Sequence, residues 1–126
     1  MKYTKATNYA LHIVAYMIKY DKRDNLSLLP LANHLNTSPS YLSKILTQLV
    51  KANIIKSTPG VNGGYVLQKS KEEISLLDVI KATEGSIPMF TCEMKENHAC
   101  KIQKAMEEAE NMMETYLKNK KLFEII

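Results

Sequence analysis

The sequence predicts a mainly α-helical fold with a small β-hairpin, and three observations support this prediction. Apolar residues recur every three or four positions near the start and again near the end of the chain, as in amphipathic helices. Two strand-like runs, 54–57 and 65–68, flank a turn that holds three of the four glycines. The 126 residues suit one compact domain with an appended element.

The first two helices are predicted at about 4–20 and 28–35, separated by a polar break. The first has one apolar stripe, which consists of Tyr9, Ala10, Ile13, Met17 and Tyr20. Ser27 is expected to cap the second helix, and Pro30 is tolerated in its first turn. Residues 36 and 37 form the predicted turn that follows.

The third helix, at about 39–52, is the predicted recognition element. Ser38 is a good N-cap, and Pro39 stands at the first helical position, where no N–H is needed. The expected inward residues are Leu42, Ile45, Leu46 and Leu49. The other face consists of Ser40, Tyr41, Ser43, Lys44, Thr47, Gln48 and Lys51. Because it contains donors and no acid, this face can bind phosphates and read base edges in a major groove; a simple solvated face is the alternative.

The rest of the chain is predicted to form a wing and two further helices. The hairpin at about 55–68 is the wing, and a helix then runs from Ile74 or Ser75 to about Gly85. After an irregular segment, a last helix extends from Cys100 to about Lys121. Its apolar residues, here named the C-terminal seam, are Ile102, Met106, Ala109, Met113 and Tyr116. We expect a winged helix-turn-helix DNA-binding domain at 1–85, and a cysteine-containing loop with a long dimerisation helix at 86–126.

Charge is distributed unevenly along the chain. Residues 1–70 contain nine Lys/Arg and two Asp, whereas residues 71–126 contain eight Lys and eleven Asp/Glu, which gives +7 and −3. A basic first half favours contact with a polyanion, although an ordinary mixed surface could show the same balance.

Several classes of protein are not indicated. No apolar run is long enough to span a membrane and no signal-peptide pattern follows Met1, so we expect a cytoplasmic protein. No catalytic constellation is visible, and no nucleotide-binding glycine loop is present, so we expect no enzyme.

Cys92 and Cys100 leave three interpretations open. The thiols are incidental, or they form a redox switch, or they ligate a metal or iron–sulfur cluster with His98 or a group from another subunit. Their spacing is not that of a zinc finger, and we expect no cofactor. Lys95 and Lys101 could lower a thiol pKa and favour reactivity.

Taken together, these segments resemble the Rrf-two (Rrf2) family of bacterial winged helix–turn–helix regulators, which includes IscR, NsrR and CymR. The resemblance runs from residue 1 to about 116. It is based on four blocks, 8–10, 40–42, 49–54 and 63–67, and on a fifth, Ile74-Ser75-Leu76-Leu77-Asp78-Val79-Ile80 with Glu84-Gly85. Cluster-binding members generally have three loop cysteines, whereas this chain has two.

The resemblance implies a homodimeric transcription regulator, a repressor in many members, that binds double-stranded DNA at a palindromic operator. Residues Lys2, Thr4 and Lys5 would flank the DNA. The major groove would be faced by Ser38, Ser40, Tyr41, Lys44 and Gln48. The wing contact would be formed by Asn62, Gly63, Gly64 and Tyr65. The rivals are a winged-helix module that binds a partner enzyme, an iron–sulfur sensor, and a small-ligand sensor with a pocket between the long helix and the wing domain.

Overall fold

The computed structural model describes residues 2–20, 26–61, 63–86, 88–94 and 100–126. Within these ranges the elements run in the predicted order of helices and hairpin. The helices are α1 (Lys5–Lys19), α2 (Leu28–Leu35), α3 (Pro39–Lys51), α4 (Leu76–Glu84) and α5 (Lys101–Asn119), and the strands are β1 (Ile55–Thr58) and β2 (Gly64–Leu67). A 3-10 turn, Leu122–Ile125, follows α5. The predicted fold class is confirmed.

The starts of α1, α3 and α4 depend on side chains that occupy backbone donors. Thr4, Ser38 and Ser75 each accept a hydrogen bond from a backbone N–H of the first helical turn. At α4 the cap is reciprocal, because Asp78 also accepts from the backbone N–H of Ser75 at 3.0 Å. The expectation for Ser27 is met only in position: it is the N-cap residue of α2, but its side chain makes no capping hydrogen bond.

The core forms where α1, α3 and α4 pack against one another, with α2 on α3. All four predicted inward residues of α3 are buried. In α1 the stripe is confirmed for Ala10, Ile13 and Met17, while Tyr20 is exposed, which corrects its expected place. The reason is that Val14 and Ile18 are also buried, so the buried face of α1 does not follow the predicted stripe as far as Tyr20.

The hairpin pairs antiparallel, with Ile55 opposite Leu67 and Thr58 opposite Gly64. β1 begins one residue later than predicted, and β2 begins one residue earlier. A third segment, which sequence reasoning missed, extends this sheet: Leu26 and Tyr65 exchange two backbone hydrogen bonds of 2.9 Å. The wing is therefore tied to the chain just before α2.

The segment after α5 returns to the core that the preceding helices form. Leu76 N donates to Lys120 O at 3.0 Å, and Leu122 N donates to Ile74 O at 2.9 Å. Leu122 itself is buried in the core. In contrast, α5 has no buried residue, so the described residues leave much of the C-terminal seam uncovered. No described helix combines the length and apolar character needed to cross a bilayer.

Candidate nucleic-acid interface and cysteine site

The polar face of α3 is accessible along its length. Ser40, Lys44 and Thr47 are exposed, and Tyr41 and Gln48 are half-buried. Ser38, also exposed, accepts from Tyr41 N at 3.2 Å and so fixes the first turn of the helix. Lys44 and Lys51 give α3 two positive charges, and no acidic residue lies on the helix.

Tyr41 is held by residues from α1. Its ring meets the Tyr9 ring edge to face, with centroids 5.6 Å apart. The Lys5 ammonium lies 5.9 Å from the Tyr41 centroid and 5.7 Å from that of Tyr9. Lys5, Tyr9 and Tyr41 thus form one cluster that joins α1 to the beginning of α3. The sequence predicts Tyr9 only as a member of the apolar stripe of the first helix. Nothing in its spacing indicates that it also contacts Tyr41.

The start of α1 is occupied by an internal contact. Thr4 donates to the Glu84 carboxylate from its backbone N–H at 2.9 Å and from its hydroxyl at 2.8 Å, and Thr7 also donates to it. These hydrogen bonds lower the pKa of Glu84 below its ordinary value, and the largest contribution comes from the hydrogen bond with Thr7. An ionised carboxylate therefore lies at the start of α1, where it binds Thr4 and Thr7.

The tip of the wing is a tight backbone turn. Gly63 N donates to Gly60 O at 3.0 Å, and Gly64 N donates to the Thr58 hydroxyl at 3.0 Å. A Cβ on Gly63 would lie 2.1 Å from Thr58 O, so only glycine fits there. Tyr65 is half-buried against the core and paired with Leu26. Asn62, predicted as a wing contact, lies outside the described residues.

Gln103 links the two cysteine positions. Cys92 N donates to Gln103 Oε1 at 2.9 Å, and Gln103 N donates to Cys100 Sγ at 3.4 Å. Cys100 is the N-cap of α5, and both cysteines are half-buried. Sequence reasoning did not single out Gln103, although a capping residue followed three positions later by Gln is the spacing of a capping box.

The donor set for a metal or cluster is incomplete among the residues that the structure describes. No three His, Cys, Asp or Glu side chains converge in those ranges. His98, the third ligand considered from the sequence, lies outside them. Of the three ligands considered, the described residues thus include only Cys92 and Cys100.

The neighbouring loop partly covers the C-terminal seam. Met89 N donates to both carboxylate oxygens of Glu110, at 3.2 and 3.3 Å. Met89 and Phe90 enclose an apolar hollow of about 70 Å³ against Met106, Ala109 and Met113. The two ends of the seam remain open, with Ile102 67% and Tyr116 61% exposed.

Comparison with known proteins agrees with this architecture. The family model described as Rrf2, iron-dependent transcriptional regulator, matches residues 3–126. The chain is 32% identical over 135 residues to YffB of Lactococcus lactis subsp. lactis, whose name places it among HTH-type transcriptional regulators; the match covers 99% of this chain and 86% of that protein. It is 31% identical over 100 residues to the HTH-type transcriptional regulator NsrR of Shouchella clausii, covering 79% and 67%.

A solved structure is also similar over almost the whole chain. CymR, the global cysteine regulator of Bacillus subtilis, superposes with a TM-score of 0.79 at 26% identity. The match covers 97% of this chain and 93% of that one. YffB and NsrR are named as transcriptional regulators and CymR as a regulator, and none of the three is named as an enzyme.

Proposed function

The chain belongs to the Rrf2 family of transcriptional regulators, and from this premise we propose that it is a cytoplasmic, homodimeric repressor of a palindromic DNA operator. In this proposal residues 1–85 bind DNA, and residues 86–126 carry the cysteines and the dimer contact.

The polar face of α3 is the single observation that carries the proposal. Its exposed Ser40 and Lys44 stand on a helix with two lysines and no acid. A rigid helix with donors and a positive charge can enter a major groove, where its charges pair with phosphates and its side chains reach base edges. Ser38, Tyr41 and Gln48 complete the proposed groove face.

The remaining proposed contacts differ in how well their surroundings suit DNA. Lys2 and Lys5 are exposed and suit phosphate contact. Thr4 is a weaker candidate, because its donors already bind Glu84. Gly63 and Gly64 would let the wing backbone approach a phosphate, with Tyr65 as support beneath, and Asn62 stays a prediction from the sequence.

The test is fluorescence anisotropy of the protein on its own upstream DNA and on a random duplex, over a range of salt concentrations. Lys44→Gln should weaken operator binding by about 10-fold or more if Lys44 reads a base, or lower the salt slope by about one if it touches phosphate. Lys104→Gln, an exposed lysine of α5, is the matched control and should change neither.

Equal affinity of the wild type for operator and random duplex would contradict sequence-specific binding. It would favour the rival, a winged-helix module controlled by a partner enzyme. An unchanged affinity and slope for Lys44→Gln would remove Lys44 from the interface.

The C-terminal seam supports the dimer. A 19-residue helix with no buried residue gains little from its own domain, and its exposed apolar positions recur at heptad-like spacing. A second copy could bury this seam, and the two-fold symmetry would place two recognition helices on the two half-sites of a palindrome.

Light scattering on a sizing column tests the dimer. Met113→Glu, which places a charge on the seam, should shift the protein to monomer and weaken operator binding. Met112→Glu is the control, since Met112 is 75% exposed and lies beside the seam. A wild-type monomer at micromolar concentration, or a Met113→Glu dimer, would contradict the proposal.

We further infer that Cys92 and Cys100 act as a thiol switch, supported by the contacts that Gln103 makes with both. With hydrogen peroxide as oxidant, the two thiols lose two protons and two electrons and form one S–S bond, while the peroxide O–O bond breaks and gives two waters. The new bond would alter the cap and the Gln103 contacts at the start of α5.

Operator binding measured in reduced and peroxide-treated protein tests this switch, with an anaerobic absorbance spectrum alongside. The wild type should change affinity on oxidation, and both Cys92→Ser and Cys100→Ser should not. Equal binding in both states would make the cysteines bystanders, and a visible absorbance band would favour the cluster alternative.

A further inference from the structure

Thr47 stands in the middle of the exposed stripe of α3. After the first residue of this helix, the exposed positions are Ser40, Lys44, Thr47 and Lys51, at spacings of four, three and four. Residues at these spacings lie one above another on the same side of a helix. Gln48, by contrast, is half-buried. Thr47 is therefore more central on the polar side of α3 than Gln48, although the groove contacts predicted from the sequence do not include it.

The hydroxyl of Thr47 is already engaged within the helix. Thr47 Oγ1 donates a hydrogen bond to Ser43 O at 2.8 Å. Because a hydroxyl has one proton, it can no longer donate to a phosphate or to the acceptor atoms that guanine and thymine present in the major groove. The side chain keeps an acceptor lone pair and its methyl group for contact with a partner.

The methyl group is the better basis for a contact with DNA. Thr47 is exposed and its oxygen is bonded to the helix backbone, so the methyl group is the part of the side chain that no internal bond uses. Thymine is the base that presents a methyl group in the major groove, and the methyl group of threonine can pack against it. Lys44 and Lys51 on either side can pair with phosphates and hold this part of α3 near the bases.

We propose that Thr47 is a specificity-determining residue that reads a thymine in each half-site, through contact between its methyl group and the C5-methyl group of the base. This inference rests on the proposed function, since it requires that α3 enters the major groove. The hydrogen bond to Ser43 favours one rotamer of Thr47 before DNA binds, so little side-chain entropy is lost when the contact forms.

Selection of duplexes from a random-sequence library, followed by fluorescence anisotropy, tests the proposal. Each thymine of the selected site is replaced in turn by deoxyuridine, which lacks only the C5-methyl group, at the symmetric positions of both half-sites. For the wild type, at least one replacement should weaken binding about ten-fold, because the burial of one methyl group is lost in each half-site.

Two substitutions separate the methyl group of Thr47 from its hydroxyl. Thr47→Val keeps a methyl group and loses the hydroxyl, and it should show the same loss with deoxyuridine as the wild type. Thr47→Ser keeps the hydroxyl and loses the methyl group. It should bind the thymine duplex as weakly as the deoxyuridine duplex.

Thr115→Ser is the matched control. Thr115 is also exposed, and its hydroxyl makes the same kind of hydrogen bond on α5, to Asn111 O at 2.8 Å. Removal of its methyl group should leave the affinity for both duplexes at the wild-type value, because α5 lies outside the proposed groove face.

Three results would overturn the inference: no thymine whose replacement weakens wild-type binding, equal sensitivity to deoxyuridine in Thr47→Ser and the wild type, or loss of that sensitivity in Thr47→Val. If selection yields no preferred sequence, sequence-specific binding itself fails, and this inference fails with it. A preferred sequence without the methyl effect refutes the role of Thr47 alone.

Discussion

Thr4 and Glu84, eighty positions apart, join the beginning of α1 to the end of α4. Glu84 accepts from the Thr4 backbone N–H at 2.9 Å and from its hydroxyl at 2.8 Å. The carboxylate therefore accepts a hydrogen bond from a backbone donor at the start of α1. Its negative charge also interacts favourably with the positive end of the helix dipole. α1 and α4 are two of the three helices that form the core.

Glu84→Gln should lower the free energy of unfolding by about 1 kcal/mol at neutral pH, because charge-assisted hydrogen bonds become neutral and the site is only partly shielded from solvent. The folded-state pKa of Glu84 is lowered. Its contribution is therefore fully present above the unfolded-state pKa and is lost as the pH falls through the folded-state pKa.

Urea unfolding at neutral pH and at a pH below the folded-state pKa measures this difference. The gap between wild type and Glu84→Gln should close in acid. Glu73→Gln, an exposed control, should leave stability unchanged at both values. A gap that widened in acid would refute the assigned sign.

Gly63→Ala should open the tip of the wing, because the new Cβ would meet Thr58 O at 2.1 Å and Pro59 O at 2.7 Å. Both are backbone atoms, so the turn itself must move. We expect a loss of about 1–3 kcal/mol in stability and altered amide shifts in β1 and β2. Val61→Ala, at a fully exposed neighbouring position, should be neutral; equal stability of the two variants would disprove the close approach.

Leu122→Ala should destabilise the whole domain. Leu122 is 3% exposed and packs in the core, so truncation should cost about 2–5 kcal/mol. Ile125 is 53% exposed in the same 3-10 turn, and Ile125→Ala should have little effect. Thermal unfolding distinguishes the two, and similar melting temperatures would show that the tail does not contribute to the core.

Cys100→Ala and Cys100→Ser should differ, because Cys100 Sγ caps α5 by accepting from Gln103 N. Serine keeps a capping oxygen, whereas alanine loses about 1 kcal/mol of helix stability. Helical circular dichroism during thermal unfolding measures the effect. If the two variants melt alike, a capping acceptor at position 100 does not stabilise α5.

Local patterns determined much of this fold in advance. Ser38 and Pro39 define the start of α3, and the spacing of Leu42, Ile45, Leu46 and Leu49 defines its buried side, because capping and helical periodicity act within a few residues. Glycine at the wing tip likewise follows from the local turn. The C-terminal seam of α5 likewise follows from the heptad-like spacing of its apolar residues, which the sequence alone shows.

Contacts between distant segments were decided only by the tertiary structure. Three contacts illustrate this: the Tyr9–Tyr41 ring contact, the Leu26–Tyr65 bridge and the packing of Leu122 in the core. Each joins residues that are far apart in the sequence, and helical or strand periodicity does not predict which distant residues will meet. Sequence periodicity specifies which side of each helix is buried, whereas the mutual packing of those sides selects which exposed residues become neighbours.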